Sequence, residues 1–92
     1  MQIEFDSEKR RVTLAVRGLD MADARLVYSG KHITFADIRF DYREDRFVTV
    51  GFLFGRMVIL TWTPRGDAHR IISLRKANER EQRKFGPDLD RP

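Results

Sequence analysis

Two apolar runs separated by a short turn constrain this chain more than any other feature. Arg46–Phe54 reads RFVTVGFLF and Met57–Thr63 reads MVILTWT, with Gly55-Arg56 between them. Both are rich in β-branched and aromatic residues, which suit a pleated, half-buried surface. Glycine supplies the positive φ that tight connections require, so the pair is expected to form a hairpin turning at Gly55-Arg56. The second run is expected to be central in a sheet.

The rest of the chain supplies partners for that hairpin. Gln2–Phe5 alternates as a short strand. Asp6 or Ser7 can cap a helix running to about Arg17, with Val12, Ala15, Val16 and Leu19 on one stripe and Gly18 as a left-handed stop. A second helix starts at Asp20, groups Met21, Ala24, Val27 and Tyr28, and closes at Gly30. From His32 the period changes to two, with Ile33 and Phe35 marking a strand and Asp41–Asp45 a charged turn. Pro64–Ala68 forms the next turn, and His69–Leu74 the last strand. Arg75–Phe85 follows as a nearly polar helix, with only Ala77 and Phe85 to bury. Residues 1–86 are expected to form one domain, and 87–92 a flexible tail.

A strand, two helices, three or four mainly antiparallel strands and a helix make an α+β fold. Ninety-two residues allow one core. With no cysteine, disulfide staples and thiolate chemistry are excluded. The charged start MQIEFDSEKR has no signal-peptide core, and no run approaches the ~18 apolar residues of a membrane span. A cytoplasmic domain without membrane contact is the expectation.

Charge points to the partner. Thr63–Phe85 holds Arg65, Arg70, Arg75, Lys76, Arg80, Arg83 and Lys84 against Asp67, Glu79 and Glu81, a net +4 that equals the formal charge of the whole chain. Arginine forks match phosphate oxygens and can stabilise a pentacoordinate phosphate transition state. Strict alternation puts Arg70 and Ile72 on one side of the last strand, and Ile71, Ser73 and Arg75 on the other. A polyanion, nucleic acid first, is the expected ligand.

Other candidates compete with plainer roles. His32 and His69 are the acid–base candidates near neutral pH, yet a lone histidine beside a strand is more often structural. Their separation gives no zinc spacing, and Asp41, Glu44 and Asp45 lack the pattern of a calcium loop, so no metal and no cofactor is expected. Glu79 and Arg83 form an ordinary i, i+4 pair, and Glu81 is either a general base or a helix charge. Lys9 matters only if its helix packs near Arg70. Phe40, Tyr42 and Trp62 can stack bases if exposed, although Trp62 within MVILTWT reads as core.

FDSEK and RGLDMADA (Phe5–Lys9, Arg17–Ala24), EDRFVTVG (Glu44–Gly51) and TPRGDAHRIISLRKANERE (Thr63–Glu81) make the chain resemble the BrnT toxins of type II toxin–antitoxin systems. The resemblance implies a RelE-like fold and a ribonuclease that stalls translation, silenced by a BrnA-like antitoxin with a DNA-binding domain. Operator DNA would then be reached only through the antitoxin. By position, the family's charged residues fall on Lys9, Glu44, Arg46, Arg65, Arg70, Arg75, Arg80 and Glu81, and Ser73 and Ala77 match as well. The family's Asn, Lys and His of the first helix are replaced by Thr13, Val16 and Arg17, and its late Tyr by Phe85. The expected activity is metal-independent endoribonuclease cleavage of mRNA, on or off the ribosome, by 2′-hydroxyl attack. Arg70 and Arg75 would hold the scissile phosphate, Lys9 would complete the charge, and Glu81 or His69 would move the proton. Arg46, Arg65, Arg80, Arg83 and Lys84 would bind flanking RNA. A non-catalytic RNA-binding module and a co-repressor subunit are the alternatives.

Overall fold

The computed structural model describes residues 1–89. Its elements run β1 (Gln2–Phe5), α1 (Ser7–Arg17), a 3₁₀ turn (Met21–Asp23), α2 (Ala24–Ser29), β2 (Ile33–Ala36), β3 (Phe47–Leu53), β4 (Arg56–Arg65), β5 (Ala68–Lys76) and α3 (Glu79–Leu89). The five strands form one sheet in the order β1-β5-β4-β3-β2. All neighbours are antiparallel except β1, which lies parallel to β5. The architecture is α+β, with β4 at the centre as the hairpin runs require.

Local chemistry sets the boundaries. Asp6 accepts a hydrogen bond from Lys9 N at 2.9 Å, and Gly18 ends α1 at φ 70°. The hairpin turns one residue earlier than expected. Leu53 pairs with Arg56, so Phe54 and Gly55 make the turn, at φ 50° and 79°. Two-residue turns that follow the strand twist can require positive φ at both positions, and here a non-glycine residue accepts it while its ring stays in solvent.

The sheet carries a core on each face, two where chain length suggests one, because helices cover both sides of it. Leu19, Met21, Ala24 and Val27 cover Val58, Leu60, Trp62, Ile71 and Leu74. On the opposite face Val48, Val50, Met57 and Ile59 are covered by Ala77, Phe85 and Leu89. Burial on both sides explains the unbroken apolar run of β4.

Three expectations need correction. The stripe of α1 is not Val12, Ala15 and Val16: all three are exposed, Thr13 is buried, and of the four only Leu19 reaches the core. The four residues of β1 pair only with Ala68–Ile71, and α1 lies beside the remainder of β5, where Arg17 Nη1 donates to the Leu74 carbonyl at 2.9 Å. Arg75 and Lys76 belong to β5 rather than to the last helix, which starts after Asn78. Asn78 Oδ1 accepts from Glu81 N at 2.8 Å and Asn78 N donates to Glu81 Oε1 at 2.9 Å, a reciprocal capping box. Finally, α3 passes Gly86 and Pro87 to reach Leu89, which is buried and anchors the helix to the sheet. Of the expected tail, 90–92 lie outside the described residues.

Candidate functional site

The site begins with one extra residue in β5. Thr61 pairs with Ser73 and Trp62 with Ile71, so Ile72 has no partner of its own and the ladder is bulged there. Directly paired residues share a face of a sheet. Arg70 (opposite Thr63), Ser73 (opposite Thr61) and Arg75 (opposite Ile59) therefore stand on one face. His69, Ile71 and Leu74 stand on the other, and burial agrees, because Ile71 and Leu74 both enter the α2-side core three residues apart. Strict alternation had separated Arg70 from Arg75. The bulge unites them.

On this face the sheet forms the floor of a cleft of about 480 Å³. Ile59, Thr61 and Ser73 lie beneath it, Arg75, Arg80 and Lys84 line the β5–α3 side, and Asp37 and Arg39 come from the β2–β3 loop. Arg75 grips Glu81 bidentately, Nη1 to Oε1 and Nη2 to Oε2, both at 2.8 Å. That pairing, helped by the Asn78 amide and opposed by burial, pulls the Glu81 carboxyl down to about 2. Arg75 is raised in turn, mainly by Glu81, and the charge of Arg39 pulls against it, so the two guanidiniums feel each other. Arg80 and Lys84 have no carboxylate partner among the described residues and give the cleft its surplus positive charge.

The other candidates disperse. Arg70 reaches Glu4 at 3.7 Å near the β1 edge. Glu44 holds Arg46 at 3.3 Å and Arg65 at 3.9 Å, and Arg46 lies 4.0 Å over the ring of Tyr42. Arg83 pairs with Glu79 at 3.2 Å, as its spacing suggests, and Lys84 Nζ sits 5.3 Å from the centre of the Phe85 ring. Lys9 lines a separate groove of about 330 Å³ between α1 and β5, which shares Ser73 with the cleft. His32 Nδ1 contacts the Gly30 carbonyl at 2.8 Å. Among the described residues, no three His, Cys, Asp or Glu side chains gather as a metal site.

His69 is parted from the arginines by the sheet itself. Its ring stacks on Trp62 at 3.7 Å and meets Tyr28 edge-on at 4.9 Å, and burial lowers its proton affinity. Trp62 is core, its Nε1 donating to Thr49 Oγ1 at 2.8 Å. The residue that sequence reading missed is Arg39. An isolated arginine outside the basic run gave no signal beyond its spacing from Asp37, which it grips through Nε and Nη2, both at 2.9 Å.

The family model described as "Ribonuclease toxin, BrnT, of type II toxin-antitoxin system" matches residues 5–81. A search of curated proteins finds no match. The matched span takes in β5 with its bulge, Arg75, Arg80 and Glu81, while Arg83, Lys84 and Phe85 fall beyond it. The chain belongs to the BrnT family of ribonuclease toxins of type II toxin–antitoxin systems.

Proposed function

We propose that this toxin cleaves RNA in the cleft between β5, α3 and the β2–β3 loop, without a metal ion. A ribose 2′-hydroxyl attacks the adjacent phosphorus and the 5′-oxygen of the next nucleotide leaves, giving a cyclic phosphate and a 5′-hydroxyl end. The observation that carries this reading is the cleft in which Ser73 and Arg75 of β5 meet Arg80 and Lys84 of α3, while the bulge at Ile72 turns Arg70 to the same face farther along the strand. Arg75 is the central residue, because Glu81 fixes its fork through Nη1 and Nη2 and, among the described residues, leaves Nε to face a phosphate oxygen. Arg80 and Lys84 neutralise flanking phosphates, and Ser73 is placed to donate to a non-bridging oxygen.

A carboxyl held near 2 is a weak proton acceptor, so Glu81 orients Arg75 rather than removing the 2′-hydroxyl proton. His69 supports the opposite core. The barrier falls through fixed positive charge around the pentacoordinate phosphorus, with solvent exchanging the protons. An antitoxin of the BrnA kind, linked to operator DNA through its own domain, silences the toxin by covering this basic face. The layering of helices on a mainly antiparallel sheet supports a RelE-like relationship.

The test is incubation of purified, antitoxin-free protein with single-stranded RNA in excess EDTA. Wild type is expected to leave cyclic-phosphate ends. Folded Arg75→Ala should cleave about 100-fold more slowly, the scale of losing one preorganised charge donor. Full activity of Arg75→Ala, or cleavage only after magnesium is restored, overturns the reading.

A further inference from the structure

The β2–β3 loop (37–46) is short of apolar anchors, yet it is tightly tied. Asp37 N donates to the Arg46 carbonyl at 2.8 Å, closing the two ends. The Asp37 side chain, only 2% exposed, takes both nitrogens of the Arg39 fork and the Tyr42 hydroxyl at 3.2 Å. Arg46 covers one face of the Tyr42 ring, and Phe40 packs edge-on against that ring at 5.8 Å. These bonds hold Phe40 outward, 70% exposed, beside Ile38 at 87%. A rigid support beneath an exposed ring is what a stacking surface needs, since a base loses little by docking on a ring already fixed.

Two further observations name the ligand. Asp37 and Arg39 line both the phosphate cleft and the hollow under Phe40, so the two adjoin across these residues. The loop's own charges nearly cancel, with Asp37, Asp41, Glu44 and Asp45 against Arg39, Arg43 and Arg46. Its attraction is therefore for a flat, uncharged ring rather than for another phosphate. We infer that Phe40 is the stacking platform for an unpaired nucleobase beside the phosphate held in the cleft, with Arg39 joining the two subsites. This rests on the reading of the cleft as an RNA site. It also selects single strands, because a base within a duplex has no free face to offer.

The experiment compares a short 2′-O-methyl RNA, which cannot be cleaved by 2′-hydroxyl attack, with a strand of the same length lacking bases. Affinity is read by fluorescence anisotropy for wild type, Phe40→Ala and Phe40→Trp, each checked for an unchanged melting temperature. Phe40→Ala should bind the base-carrying strand about tenfold more weakly, the size of one base–aromatic stack, and the abasic strand as wild type does. Phe40→Trp should restore affinity and be quenched only by the strand with bases. An Arg75→Ala/Arg80→Ala variant should weaken binding to both strands alike. Unchanged affinity of Phe40→Ala, or equal loss on both strands, overturns the stacking site and makes Phe40 a protein contact or a prop for the loop. If wild type binds neither strand, the RNA reading of the cleft falls, and this inference with it.

Discussion

At the scale of single residues, Glu81 and His69 show how environment divides two groups that composition alone would treat as equivalent acid–base candidates. Glu81 caps α3 and clamps Arg75, which holds its carboxyl near 2 against an ordinary 4.5. Its folded value lies below the unfolded one, so the stability it adds is complete above about pH 5 and fades as pH falls toward 2. His69 has the opposite consequence. Burial favours its neutral form, so the folded chain resists the proton that the unfolded chain accepts near pH 6.5. Its stabilising effect is present above that pH and is lost as pH falls through 6.5 and below. The urea midpoint should therefore drop between pH 7.5 and 5.5, and His69→Gln should flatten that drop. A slope unchanged in His69→Gln would show that other groups cause it. Neither environment was legible in sequence, because the distances involved join β5 to α3 and to α2. The clustering of arginines between Thr63 and Phe85 was legible, since charge needs only counting.

At the scale of elements, sequence pattern identified every strand, yet missed the bulge that turns Arg70 to the face of Arg75. Periodicity assumes two residues per repeat, and nothing local in RIISLR announces that Ile72 is extra. What decides it is the fit of Ile71 and Leu74 into one core, a long-range demand. Helix α1 failed as a stripe for a related reason: Val12 and Val16 have the spacing of a core face, but short β1 leaves α1 beside an open edge. The contact of α2 with β3 gives a sharper test. A Cβ on Gly51 would lie 2.8 Å from Val27 Cγ1 and 3.2 Å from His32 Cβ. Gly51→Ala should thus cost about 1–3 kcal/mol through overpacking, read from the urea midpoint at constant slope. A midpoint at or above wild type would refute this account of the α2–β3 contact.

At the scale of the whole molecule, charge and topology act together. The excess of four positive charges is spread along the last third of the sequence, but the fold spends part of it on Glu4, Glu44, Glu79 and Glu81. Around one cleft Arg80 and Lys84 add surplus charge to Arg39 and Arg75, which stay paired with Asp37 and Glu81. If these four meet phosphates, the logarithm of affinity for single-stranded RNA should fall against that of salt with a slope of about −3, from roughly −0.7 per contact. A slope near zero would show that the cleft does not meet phosphates. By itself the sequence determined the α+β order, the central hairpin, the caps at Asp6 and Gly18 and the basic character of the last third of the chain, because each follows from short-range periodicity, turn chemistry or composition. Only the tertiary structure decided which arginines share a face, that His69 lies behind the sheet, and that Arg39 lines the cleft. Those facts depend on register and on packing between segments distant in the chain, where a single bulged residue reverses the face of every side chain beyond it.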